Sequence, residues 1–159
     1  MLDENKWLQY GFSRPQTDIQ GITIHETGNI EMNAQQLHDY YNSECKTNEC
    51  VHYICDDTGV IQLLPDDWAV YNTGKGKDFG CRNTIAISIC SSLSNDKYQK
   101  AQDNAVSLIR QLLQTYQIGY DLIFSHHNFN NKAYCPKTIL DRYGSIKRFI
   151  YEEILESEE

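Results

Sequence analysis

His25, the adjacent pair His126 and His127, and Cys135 are the residues of this 159-residue chain whose types and placing could do chemistry. Two imidazoles and a thiolate make a three-ligand set for zinc. A tetrahedral ion held by three protein ligands keeps its fourth position for water, which is the arrangement of a catalytic rather than a structural metal. Cys135 must be a thiolate to join such a set, and a neighbouring metal charge would make it one. Any one of these residues alone would read as a satisfied polar group; the set is what suggests a site.

The elements around them supply the placing. Ile22-Thr23-Ile24 is β-branched and apolar, lies between Gly21 and Thr27-Gly28-Asn29, and reads as a short buried strand delivering His25 at its C-terminal end. Leu122-Ile123-Phe124 reads as a second strand ending at Ser125-His126, with Cys135 in the loop beyond it. In open α/β sheets, sites form outside the carboxyl ends of strands. Thr84 to Cys90 is a near-continuous apolar run, the mark of a central strand covered on both faces. Val51–Cys55 and Val60–Leu63 flank Asp56-Asp57-Thr58-Gly59, a hairpin pattern with glycine placed for the turn.

Helical spacing appears three times. Asn33 can cap a helix carrying Leu37, Tyr40 and Tyr41. Ala101, Ala105, Leu108, Ile109, Leu112, Leu113 and Tyr116 form the clearest stripe, with Asn95 or Asp96 as cap and Gly119 as stop. Ile146, Phe149, Ile150 and Ile154 predict a last helix over 145–156. Strands alternating with helices, plus one hairpin, predict an α/β fold: a single domain over 1–159 with a mixed central β-sheet flanked by helices.

Composition excludes several function classes. Hydrophobic residues are 40% of the chain, enough for one ordinary core, and no apolar run is long enough to span a membrane. The net charge is −8, the 14 Lys and Arg residues are scattered, and Glu152, Glu153, Glu156, Glu158 and Glu159 form an acidic run. Nucleic acid, whose phosphates need clustered cations, is therefore not an expected partner. Met1 to Trp7 lacks the charged stretch and apolar core of a signal peptide, which predicts cytoplasmic synthesis or a domain excised from a longer protein. In that compartment Cys45, Cys50, Cys55, Cys81, Cys90 and Cys135 are expected to be free thiols. Cys45, Cys50 and Cys55 also lack the tight spacing of a zinc knuckle.

Four segments in order carry a more specific message: Ile24 to Asn29, Val51 to Asp57, Ile61 to Pro65, and His126 to Pro136 with Lys132 and Cys135 inside. Together they resemble the landmarks of the zinc-dependent N-acetylmuramoyl-L-alanine amidases, over about Ile22 to Leu140, and most of all the amidase modules of phage and prophage endolysins. More distantly the chain is similar to animal peptidoglycan recognition proteins. The resemblance implies a mixed sheet with a central helix, a zinc ion, and hydrolysis of the bond joining N-acetylmuramic acid to L-alanine in bacterial peptidoglycan. The family's first ligand falls on His25 and its third on Cys135. Lys132 falls on the residue that stabilises the oxyanion of the tetrahedral intermediate. His52 is expected to shape the pocket floor and Asn72, where relatives often have histidine, to border the substrate; His38, on a helix, is expected to be exposed.

The second ligand stays open at this level. Seven residues between histidine and cysteine, common in the family, select His127, whereas six from histidine to lysine select His126. His126 follows Ile123-Phe124-Ser125 as His25 follows Ile22-Thr23-Ile24, so His126 is the favoured ligand and His127 the alternative. Two departures bear on catalysis: serine stands at 88, where the family often has a glutamate proton shuttle, and Val51 stands where others have tyrosine. The alternative function is thus a catalytically weakened domain that binds muropeptides without cutting them. An acidic domain is also repelled by anionic wall polymers, so this monomer is expected to work with a separate wall-binding module and to act on the wall after release.

Overall fold

The computed structural model describes residues 1–156, so Glu158 and Glu159 of the acidic run lie outside the described residues. Along the chain, α1 (Glu4–Tyr10) leads into β1 (Gly11–Ser13), and β2 (Gly21–Glu26) is followed by α2 (Ala34–Ser43). The predicted hairpin is β3 (Tyr53–Asp56) and β4 (Gly59–Gln62). After it come β5 (Trp68–Val70), α3 (Phe79–Asn83), β6 (Thr84–Ile89) and the long α4 (Asn95–Tyr116). The last part holds β7 (Ile123–Ser125), α5 (His126–Phe129), α6 (Lys137–Tyr143) and α7 (Ile146–Phe149), which continues as a π-helical segment over Ile150–Leu155.

The main sheet has the order β4-β3-β6-β2-β7, with β3 and β4 antiparallel and the other pairs parallel. It is the mixed sheet expected, and β6 lies at its centre with every residue buried. Alternation along the strands divides the core in two. Ile85, Ile87 and Ile89 of β6 and Ile22 and Ile24 of β2 pack with Ala105 and Ile109 of α4 on one face. On the other face Ala86 joins Leu37 of α2, Ile54 and Leu63. His25 pairs with Ser88 in the β2–β6 register, and Ser88 pairs with Ile54 across β3, so all three belong to this second face. The small side chain of Ser88 leaves room there for a cleft.

Several boundaries differ from expectation. Helix α4 is capped by Ser94, whose hydroxyl accepts the Lys97 N–H, and neither Asn95 nor Asp96 takes that role. It ends at Gln117, in the left-handed region with φ of 52°, before Gly119 is reached. The helix over 145–156 is capped by Ser145 and changes to π geometry at Ile150. Asn33 caps α2 in a reciprocal capping box with Gln36. The ribbon of β1 with β5 and the helices α1, α3 and α6 were not anticipated. All six cysteines are unpaired.

Candidate functional site

His25, His126 and Cys135 converge: one donor atom from each lies within 4.8 Å of the others. Donors around a tetrahedral zinc ion are about 3.5 Å apart, so the set is near closing distance for a single ion. Each residue arrives for a local reason. His25 projects from β2 on the face opposite α4. His126 opens α5 instead of ending a strand, because Ser125 stops β7 and caps the helix in a box with Asn128. Its ring centroid lies 4.7 Å from that of His25. Cys135 closes the following loop, and its Sγ accepts the Glu26 N–H at 3.3 Å, tying that loop to the end of β2.

Asn72 fixes the chemistry of His25. Its amide hydrogens go to the carbonyls of Val70 at 2.9 Å and Gly80 at 3.0 Å, which leaves Oδ1 facing His25 Nε2 at 2.9 Å. An acceptor there requires a hydrogen on Nε2, so the lone pair of His25 is on Nδ1. Gly80 permits the close approach, since a Cβ at that position would come within 2.2 Å of Thr73 Oγ1. Burial first, and the neighbouring His126 second, hold the His25 pKa down to about 3, so the ring is neutral at neutral pH. Burial likewise pushes the Cys135 thiol up, opposed by the Glu26 N–H. A thiolate at this place would need a cation beside it.

The three donors line a cleft of about 230 Å³ together with Glu26, Glu49, Asn72 and Ser88, over an apolar wall that includes Leu37, Val51 and Ile54. His127 points elsewhere. Its Nδ1–H donates to the Ala133 carbonyl at 2.7 Å, and its ring borders a separate groove with Phe124 and Phe129. Consecutive helical residues diverge by about 100°, so with His126 in the cleft His127 is out of it. Lys132 is exposed on the turn between α5 and Cys135 and is not among the residues lining the cleft.

His52 requires a correction. It is fully buried, does not line the cleft and therefore cannot touch a substrate. Its Nδ1 accepts the Ala86 N–H at 2.9 Å and its Nε2–H donates to the Trp68 carbonyl at 2.6 Å, so it joins β5 to the sheet. His38 is half-buried rather than exposed, with Nε2 3.1 Å from the Met1 carbonyl.

Burial first and the Arg14 charge second hold the His52 pKa at about 3, against an ordinary 6.5. Between those values the unfolded chain takes up a proton that the folded one refuses. This contribution to stability is complete above 6.5 and is lost as pH falls toward 3. Replacement by glutamine, His52→Gln, keeps one donor and one acceptor but cannot titrate. It is expected to flatten the fall of unfolding free energy below neutral pH by up to about 1.4 kcal/mol per pH unit. Denaturant melts of the two proteins at a series of pH values check this, and equal slopes would show that His52 is not the group responsible.

A mixed α/β sheet with a convergent His-His-Cys donor set in a cleft beyond its strands defines a class of domains with a candidate metal centre. Within that class, the family model described as N-acetylmuramoyl-L-alanine amidase matches residues 15–138, and the chain belongs to this family. The amidase CwlH of Bacillus subtilis (strain 168) is 32% identical over 126 residues, covering 78% of this chain and 50% of CwlH. XlyB of the same strain, also an N-acetylmuramoyl-L-alanine amidase, is 34% identical over 137 residues, covering 84% of this chain and 42% of XlyB. The chain thus spans about half the length of the curated relatives it matches. Among solved structures, PlyL superposes with a TM-score of 0.83 at 26% identity, covering 94% of this chain and 92% of that one. The catalytic domain of XlyA superposes at 0.74 with 27% identity, covering 84% and 85%.

Proposed function

We propose that this chain is a zinc-dependent amidase domain that hydrolyses the bond between N-acetylmuramic acid and L-alanine in peptidoglycan. The observation that carries the proposal is the convergence of His25, His126 and Cys135 at the cleft, in a chain of this family. The donor set fits zinc in type and spacing: a neutral imidazole with its proton committed to Asn72, a second imidazole, and a thiol held by a backbone N–H. When bound, zinc supplies a Lewis acid that polarises the amide carbonyl and brings the pKa of water to about 7. The chain's own residues do the rest. Asn72 holds His25 in one tautomer, Leu37 and Ile54 form an apolar wall beside it, and Lys132, exposed on the turn outside the cleft lining, would have to turn inward to reach the oxyanion that the family resemblance assigns to it.

We further propose that the whole of 1–159 acts as one monomeric catalytic domain, with wall attachment supplied by a separate module, and that its place of action is the cell wall. Among the described residues no helix is long and apolar enough to cross a membrane. Ser88 and Val51, which line the cleft without a carboxylate or phenol, favour as second reading a domain that binds muropeptides and does not cut them. A suspension of purified sacculi separates the two. Clearing that stops with a chelator and returns with zinc supports the amidase; binding without clearing at full zinc occupancy supports the second reading.

The role given to Asn72 has its own test. Asn72→Ala removes the acceptor that fixes the His25 tautomer, and such outer partners typically contribute ~10–100-fold in metal affinity. Competition with a chromophoric chelator should show a weakening of that size. Unchanged affinity would mean that Asn72 only fills space.

A further inference from the structure

Hydrolysis of an amide needs a group that takes a proton from the attacking water and returns one to the departing nitrogen. The two positions considered for it do not provide one: Ser88, opposite His25 in the register, is a hydroxyl, and Val51 is apolar. Two carboxylates line the cleft among the described residues, Glu26 and Glu49. Glu26 is engaged, its Oε1 accepting the Thr138 N–H at 3.2 Å at the start of α6.

We propose that Glu49 is the proton-transferring carboxylate of this cleft, a role that rests on the amidase function proposed above. Its side chain is exposed and accepts no hydrogen bond among the described residues, so both oxygens are available to water and substrate. Its position is nonetheless fixed from the next residue on. Cys50 is buried and its N–H donates to the Tyr71 carbonyl at 3.0 Å, while Val51 beside it is part of the cleft wall. The carboxylate therefore hangs from an anchored strand entry onto the cleft mouth.

The step balances without a further reactant. Water oxygen bonds to the carbonyl carbon as Glu49 takes one of its protons. The carbon–nitrogen bond then breaks, and the nitrogen leaves with the proton that Glu49 held. The products are the lactyl carboxyl group on the glycan and the free amine of L-alanine. Glu49 ends deprotonated, as it began.

Glu49→Gln preserves size and removes the basic oxygen. On a soluble muropeptide its kcat should fall ~10²-fold or more, with KM, zinc stoichiometry and melting temperature unchanged. Adding Ser88→Glu to Glu49→Gln should recover part of the lost rate, because it supplies a carboxylate from the neighbouring wall. An undiminished kcat in Glu49→Gln overturns the assignment while leaving the amidase function intact. So does a loss of zinc in step with the loss of rate, which would make Glu49 a support of the metal centre. A wild-type chain that cuts nothing at full zinc occupancy overturns both.

Discussion

His25→Ala is expected to leave the protein without stoichiometric zinc and to lower amide hydrolysis about 10³-fold or more, since the Lewis-acid contribution of a catalytic metal is several kcal/mol and each decade of rate is about 1.4 kcal/mol. The loss should exceed what one missing ligand of three suggests. His25 is the most buried of the three donors and the one whose tautomer the scaffold dictates, through Asn72. Without it, His126 and Cys135 remain as a two-donor site, and burial then favours the protonated, non-ligating form of Cys135. The Asn72 Oδ1 also loses its partner, a buried vacancy typically costing ~1–3 kcal/mol, so melting temperature should be recorded beside metal content. A folded His25→Ala protein that retains one zinc per chain after dialysis would show that the ion is held elsewhere.

The second large effect is a contrast between neighbours. His126→Ala should lose most of its zinc, whereas His127→Ala should keep it. The reason lies in α5: Ser125 caps a helix whose first residue turns into the cleft and whose second turns to the loop carbonyl of Ala133. His127→Ala leaves that carbonyl unpaired and should cost about 1 kcal/mol of stability with little change in metal affinity. Parallel titrations of the two variants with zinc decide between them. The reverse order would transfer the second ligand to His127 and require a different register for α5.

Much of the scaffold was legible because its signals are local. The isoleucine-rich runs of β2 and β6 and the apolar stripe of α4 are periodic over enough residues to fix type and face. The ribbon of β1 with β5 pairs segments far apart in sequence, and α3 has too few residues to show a period. At the site, strand ends pointed to His25, while the choice at His126 turned on a helix start that the strand analogy could not foresee. His52 was misjudged because its partners, Ala86 and Trp68, are remote in sequence, and only they reveal a locked structural imidazole. Lys132 matched a motif by spacing, which says nothing of where a loop side chain lies. Glu49 lies outside every motif; its only sequence trace is its position two residues before Val51, where a base was already missing.

The most direct test of the amidase function is the mass of the products formed from a defined glycan–pentapeptide by the zinc-loaded protein. Cleavage at the lactyl–alanine amide yields an intact glycan with a free lactyl carboxyl group and an intact peptide with a new L-alanine amine, and nothing else. That pair of fragments is the expected result. Fragments cut within the sugar chain or within the peptide, or unchanged substrate at full zinc occupancy, would contradict it.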